Sequence, residues 1–236
     1  MKCPALRSSS PTYPTYRKRF AISYADDTFL DDLVTDVTVV LDAGPGRVVV
    51  GITGPPGAGK STAAQALMAQ FAGAAYLPMD GFHLSNAVLD RLSRRGRKGA
   101  PDTFDAAGYV ALLRRVRSEY AVGDVYVPAF SRELDEAVAA GHVVARDSRL
   151  VVTEGNYLGV PDGDWAAVRG LLDRLYYLDC PAPVRRRRLV ARHIDGGRTP
   201  QAAAAWADDV DEANARLIAT TQPLCDMVIA GGSGRG

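Results

Sequence analysis

Residues 47–62 read "RVVVGITGPPGAGKST": an apolar run, a glycine-rich turn, then a lysine and two hydroxyl side chains. Gly54 to Ser61 fit the phosphate-binding pattern G-x-x-x-x-G-K-[ST], in the setting that pattern needs, a strand before it and a helix after it. Gly54, Gly57 and Gly59 let the backbone turn successive N–H groups inward on phosphate oxygens. The helix beginning near Lys60 adds its positive end to the same anion. Lys60 is expected to reach the β- and γ-phosphates, and the Ser61 hydroxyl to ligate Mg²⁺. Pro55, Pro56, Ala58 and Thr62 complete the expected nucleotide cradle. The Asn-Lys-x-Asp stretch that accompanies guanine specificity is absent, so ATP is the expected nucleotide.

Outward from this turn, short apolar runs alternate with longer helical ones. "RVVVGIT" (47–53), "AAYLPM" (74–79), "RLVVTEG" (149–155), "RLYYLDC" (174–180) and "DMVIAG" (226–231) read as strands buried on both faces. Helices are expected near 29–42, 60–73, 105–120, 165–173, 183–194 and 200–220. That order predicts a mainly parallel five-stranded sheet in a three-layer α/β/α sandwich. Two stretches break the alternation, a polar and basic insert over 81–105 and two extended pieces, "DVYVPAF" and "HVVA", within 124–145. Both leave the C-terminal ends of strands, where open α/β sheets build their sites.

The 236 residues and 47% hydrophobic content suit one domain, expected over 26–236. Residues 1–25 lack Asp and Glu and lack the apolar core of a secretory signal, which predicts a disordered extension. A net charge of +1 argues against nucleic acid as a partner. No apolar stretch approaches the roughly 20 residues that span a bilayer. Three scattered cysteines suit reduced thiols in a cytoplasmic protein.

The third apolar run ends in Glu154, read either as support for a metal or as a solvated strand end. Asp80, in "PMDGFHLSN" (78–86), closes the second run. With the second strand expected beside the phosphate-loop strand, Asp80 can serve as the base for an acceptor hydroxyl. It can equally cap the following turn. His83 lies three residues further on, as a substrate contact or a structural hydrogen-bond partner.

The stretch "PMDGFHLSNAVLDRLSRRGRKGAPDTFD" (78–105) resembles the segment of type I pantothenate kinases in which Asp-Gly-Phe is followed by Asn, Arg-Lys-Gly-x-Pro and Tyr- or Phe-Asp. Together with the phosphate loop, "VYVPAFSRELDEA" (125–137) and "VVTEGNYL" (151–158), it resembles the P-loop superfamily of uridine kinases, phosphoribulokinases and pantothenate kinases over most of 46–230. The wordings "MDGFH" and "EGNYL" are most similar to a small bacterial branch of pantothenate, nucleoside and fructose-transport kinase-like proteins. The resemblance implies that Asp80 is the catalytic base and that Glu154 lies in the metal region. It implies a pocket role for Arg97 and Lys98 and a substrate contact for Asn214. It also implies that "APVRRRRLVARHIDGGRTP" (182–200) is an Arg-bearing lid, in which Arg188 and Arg192 share a helix face with Arg185 one turn earlier.

Phe130, Arg132, Asn156 and Tyr157 are further pocket candidates. On the last helix Trp206, Val210, Asn214 and Leu217 are expected to form one stripe. The expected activity is transfer of a phosphoryl group from ATP, with Mg²⁺, to a hydroxyl of a small sugar, nucleoside or pantothenate-like metabolite. The competing expectation is an ATP-binding regulatory or transport-associated protein with no acceptor. The resemblance is also compatible with a homodimer.

Overall fold

The computed structural model describes residues 28–230; the expected extension over 1–25 lies outside the described residues. Helix α1 spans Thr28–Asp42, and β1, Val48–Thr53, runs into the phosphate loop and α2, Lys60–Met68. Strand β2, Ala75–Pro78, leads to a 3-10 turn over Met79–Phe82 and then to α3, Asn86–Arg91, and α4, Ala106–Ser118. Next come β3, Val125–Ser131, β4, Glu136–Val144, β5, Leu150–Glu154, and β6, Arg174–Asp179. The chain closes with α5, Ala182–Asp195, α6, Pro200–Trp206, α7, Glu212–Ala219, and β7, Met227–Ala230.

Five strands form one parallel sheet in the order β2-β5-β1-β6-β7. The apolar runs serve both faces because alternate residues point to opposite sides. Val48, Val50, Ile52, Val152, Tyr176 and Leu178 pack with Leu33 and Val37 of α1 and Ala63, Ala64 and Leu67 of α2. Val49, Val151, Leu175 and Tyr177 pack instead with Tyr109, Val110, Leu113 and Val116 of α4 and Ile218 of α7. Each such aliphatic side chain contributes roughly 1.5–3 kcal/mol on burial, so the strand ends that carry the site stand on a stiff base.

The sheet order corrects one expectation. β2 is not beside β1, because β5 pairs with both, Ile52 and Pro78 facing Glu154 from either side. Glu154 therefore sits centrally, and Asp80 reaches the site from an edge strand. The helix expected over 165–173 is two 3-10 turns, Gly163–Ala167 and Arg169–Leu171. The helix expected over 200–220 is interrupted by a π turn, Ala207–Asp211. That turn shifts the helical phase: Ala203, Ala207, Asp211, Asn214, Ala215 and Ile218 are buried while Leu217 is exposed, so the expected stripe is displaced.

β3 and β4 form a separate antiparallel ribbon whose register shifts between Val127 and Ala129, at Pro128, which has no N–H for the ladder. The ribbon lies over the turn after β2. Gly81 makes that fit, since a Cβ there would come 2.3 Å from the Pro128 carbonyl oxygen. Tyr76 of β2 meets His142 of β4 edge-on, their ring centroids 5.2 Å apart.

Candidate active site

The phosphate loop is held from behind by α5. Gly57, at φ +78°, occupies a backbone region that disfavours side chains, and a Cβ there would lie 2.9 Å from the Arg185 carbonyl oxygen. Arg188 Nη1 donates to the Gly57 and Ala58 carbonyls at 3.2 and 3.3 Å, which steadies the outer side of the turn. Lys60 begins α2 after Gly59, and its Nζ donates to the Gly54 and Pro55 carbonyls at 2.8 and 3.1 Å. Burial lowers the Lys60 pKa to about 8, against the opposing pull of Glu154 and Asp80. Pro56 and Ala58 are buried within the loop, and Thr62 stands in the first turn of α2.

At the centre Glu154 Oε1 accepts from Ser61 Oγ at 3.0 Å and from the Tyr76 hydroxyl at 2.7 Å. Burial, then the charge of Asp80, raises the Glu154 pKa, while Lys60 opposes. Hydroxyl and carboxylate oxygens are hard donors suited to Mg²⁺, which takes few protein ligands and completes its shell with phosphate and water. The donor set fits that use. Among the described residues no cluster of three or more His, Cys, Asp or Glu could hold a metal by itself.

Asp80 lies in the 3-10 turn at the end of β2, half-buried, with charge effects on Lys60, Glu154 and Arg192. Its main-chain carbonyl accepts from the His83 N–H at 3.2 Å and from His83 Nδ1 at 2.8 Å. Its carboxylate has no hydrogen-bond or ion-pair partner among the described residues. A cap would spend that carboxylate on the next turn; α3 is instead capped by Ser85, whose hydroxyl accepts from the Val88 N–H at 3.3 Å.

The lid arginines divide. Arg185 is buried, with Nε on the Cys180 carbonyl at 3.2 Å and Nη2 on Glu212 at 3.3 Å. Arg188 holds the phosphate loop. Arg192 is exposed, and its side chain has no hydrogen-bond or ion-pair partner among the described residues. Desolvation by the surrounding protein and then Arg132 lower its pKa, while Asp211, Asp80 and Glu154 act in the other direction. Gly197, at φ +91°, ends α5 before Thr199 caps α6.

The remaining candidates come from the turn after β2, the loop before α4, the β3–β4 ribbon, the turn after β5 and α7. His83 packs against Phe104 and Phe130, with ring centroids 4.0 and 4.7 Å away and ring planes tilted by 42° and 46°. Lys98 Nζ donates to Asn86 Oδ1 at 2.7 Å and to Asp135 Oδ2 at 2.9 Å and lies 5.2 Å from the Phe130 ring centre. Arg97 is turned outward onto Asp102, 2.6 Å away. Arg132, exposed at the tip of the ribbon, has no partner among the described residues. The Tyr157 hydroxyl and Asn214 Nδ2 both donate to the Gly99 carbonyl, the latter at 3.3 Å. Asn156 accepts from Thr53 Oγ1 through its main chain at 3.0 Å.

The sequence reading missed Tyr76 and Asp211. Tyr76 points away from its neighbours Ala75 and Leu77 by strand alternation, a signal that was available. Asp211, 2.7 Å from His193 Nε2, owes its inward position to the π turn, which the sequence does not announce.

These features define a P-loop phosphate site with Asp80 and Glu154 at the ends of neighbouring strands. A protein-family profile described as an AAA domain matches residues 50–204. "Uncharacterized protein YggC" of Escherichia coli is 35% identical over 190 residues, covering 78% of this chain and 77% of that protein. "Putative uridine kinase C227.14" of Schizosaccharomyces pombe is 31% identical over 195 residues, covering 78% and 83%. The crystal structure of a "putative fructose transport system kinase" from Silicibacter sp. TM1040 superposes with a TM-score of 0.76 at 37% identity, over 84% of this chain and 98% of that one. The chain therefore belongs to this family of P-loop proteins, within the kinases of the uridine kinase, phosphoribulokinase and type I pantothenate kinase superfamily.

Proposed function

We propose that this kinase transfers the γ-phosphoryl group of ATP, with Mg²⁺, to a hydroxyl of a small metabolite of the sugar, nucleoside or pantothenate-like kind. The observation that carries the reading is the unpaired carboxylate of Asp80, beside a Glu154 whose Oε1 accepts from both Ser61 and Tyr76. A carboxylate left free near the phosphate site is suited to orient a hydroxyl and take its proton. Glu154, tied to Ser61 and Tyr76, is suited to support the ion instead.

In this reading Lys60 exchanges the Gly54 and Pro55 carbonyls for phosphate oxygens, which keep its ammonium charged. Ser61 and Glu154 would hold Mg²⁺, which when bound offsets charge on the phosphates. Arg192 faces the developing charge from the lid, and Arg188 keeps the loop in shape. A coupled ADP-release assay against a panel of hydroxylated metabolites, comparing wild type with Asp80→Asn, tests it. One acceptor should accelerate ADP release, and the variant should lose that acceleration while still binding ATP. Release that no acceptor stimulates would instead favour the regulatory, acceptor-free alternative.

A further inference from the structure

Glu154 is buried, yet its two carboxylate oxygens stand in different situations. Oε1 accepts two O–H groups, from Ser61 at 3.0 Å and from Tyr76 at 2.7 Å. An ionised carboxylate oxygen has two lone-pair sites, so Oε1 is full. Oε2 has no hydrogen-bond partner among the described residues, and no side-chain nitrogen or oxygen among them is buried without one. Oε2 therefore keeps an opening to solvent and is the oxygen left for a ligand. The two donors reach Oε1 from different elements, Ser61 from the first turn of α2 and Tyr76 from β2, which pairs with β5. The last torsion of a glutamate is soft, and a single bond would let the carboxylate plane swing. Two bonds to one oxygen hold it, and the edge contact with His142 of β4 in turn packs the Tyr76 ring.

We propose that Tyr76 is a positioning residue that makes Glu154 a one-oxygen ligand and thereby sets the preference of the phosphate site for Mg²⁺ over Ca²⁺. The proposal rests on the kinase reading above and adds to it a residue that acts only through Glu154. Mg²⁺ is small, demands an octahedral shell and takes one or two carboxylates beside phosphate and water. Ca²⁺ is larger, accepts more ligands and gains from a carboxylate that offers both oxygens. With Oε1 held by two hydroxyls, Glu154 presents Oε2 alone, directly or through a water, which suits the smaller ion and denies the larger one its second oxygen. Ser61 can keep its proton on Glu154 while its lone pairs stay available to the ion. Tyr76 is the donor without that second duty.

The test reads binding rather than turnover. Calorimetry gives the affinity of the full chain for the non-hydrolysable β,γ-imido analogue of ATP with EDTA, with Mg²⁺ and with Ca²⁺, and hence the gain that each ion brings. Wild type should gain more from Mg²⁺ than from Ca²⁺. Tyr76→Phe, which keeps the ring against His142, should lose about tenfold to a hundredfold of the Mg²⁺ gain, retain the Ca²⁺ gain, and bind the analogue in EDTA as wild type does. His142→Ala, which disturbs the packing and leaves the hydroxyl, should keep the wild-type ratio of the two gains. Equal gains in wild type, an unchanged ratio in Tyr76→Phe, or an equally deep fall in His142→Ala would each overturn the role of Tyr76 while the kinase reading stands. Infrared difference spectra of wild type on adding Mg²⁺ with the analogue need no Tyr76 variant: a bidentate carboxylate band that Glu154→Gln removes overturns the one-oxygen assignment, and its absence is the expected result. If neither ion changes the affinity of wild type, the metal part of the kinase reading falls and this proposal with it.

Discussion

The nucleotide half and the proposed acceptor half of the site are built on different principles. The nucleotide half is one continuous stretch, β1 to α2, in which the main chain does the binding and α5 braces it through Arg188. The acceptor half collects segments far apart in the chain: the turn after β2, the loop at Gly99, the β3–β4 ribbon and α7. Side chains bonded to main-chain carbonyls and carboxylates tie these together, as at Gly99 and Asp135. The first half can be kept while the second is retuned for another acceptor. Substitutions should therefore separate cleanly into those that damage ATP handling and those that damage acceptor handling.

The largest expected effect falls where the halves meet. Asp80→Asn should lower kcat by about 10²–10⁴-fold, with ATP affinity by calorimetry within a factor of two; a parallel loss of ATP affinity would show that Asp80 belongs to the nucleotide half. Gly57→Ala and Gly81→Ala come next and should fail in opposite ways. The first strains a left-handed residue and presses on the Arg185 carbonyl, so ATP binding should drop by tenfold or more. The second drives a Cβ into the Pro128 carbonyl, so the ribbon must shift, and acceptor KM should rise while ATP binding survives.

A smaller effect is expected at Tyr157→Phe, which removes one of two donors to the Gly99 carbonyl and should cost about 1 kcal/mol in thermal stability. It should raise acceptor KM a few-fold without touching ATP KM. Arg97→Ala should be the smallest, within about 0.5 kcal/mol, because its ion pair with Asp102 is half in solvent. A strong acceptor defect there would move Arg97 back into the pocket.

Lys60 gives the comparison a pH axis. Its pKa is lowered to about 8 in the nucleotide-free fold, below its value in the unfolded chain. The unfolded chain then binds more protons between about pH 8 and the ordinary lysine range, so nucleotide-free stability gains a contribution that grows as pH rises through that window. Lys60→Met should remove this rise and raise the melting temperature at pH 7, while abolishing ATP binding. An unchanged pH profile in the variant would contradict the assigned shift.

Much of the nucleotide half was legible because its determinants are consecutive. Eight residues specify the turn, and the apolar runs around it specify a parallel sheet through period-two burial. Glu154 was legible as an acidic strand end, but its central position depends on β5 lying between β2 and β1, which no local pattern encodes. The three lid arginines are indistinguishable as letters in a row. They separate only because Glu212 takes Arg185, the phosphate loop takes Arg188, and Arg192 is left without a side-chain partner among the described residues.

The sequence by itself determined the phosphate loop, the parallel α/β architecture and the identity of the acidic residues available for chemistry, since these follow from neighbours in the chain and from side-chain alternation. The tertiary structure alone decided which carboxylate is free and which is bonded, how the π turn brings Asp211 inward, and which oxygen of Glu154 is left open. Those outcomes depend on partners tens of residues away, and a hydrogen bond is decided by where its second atom arrives.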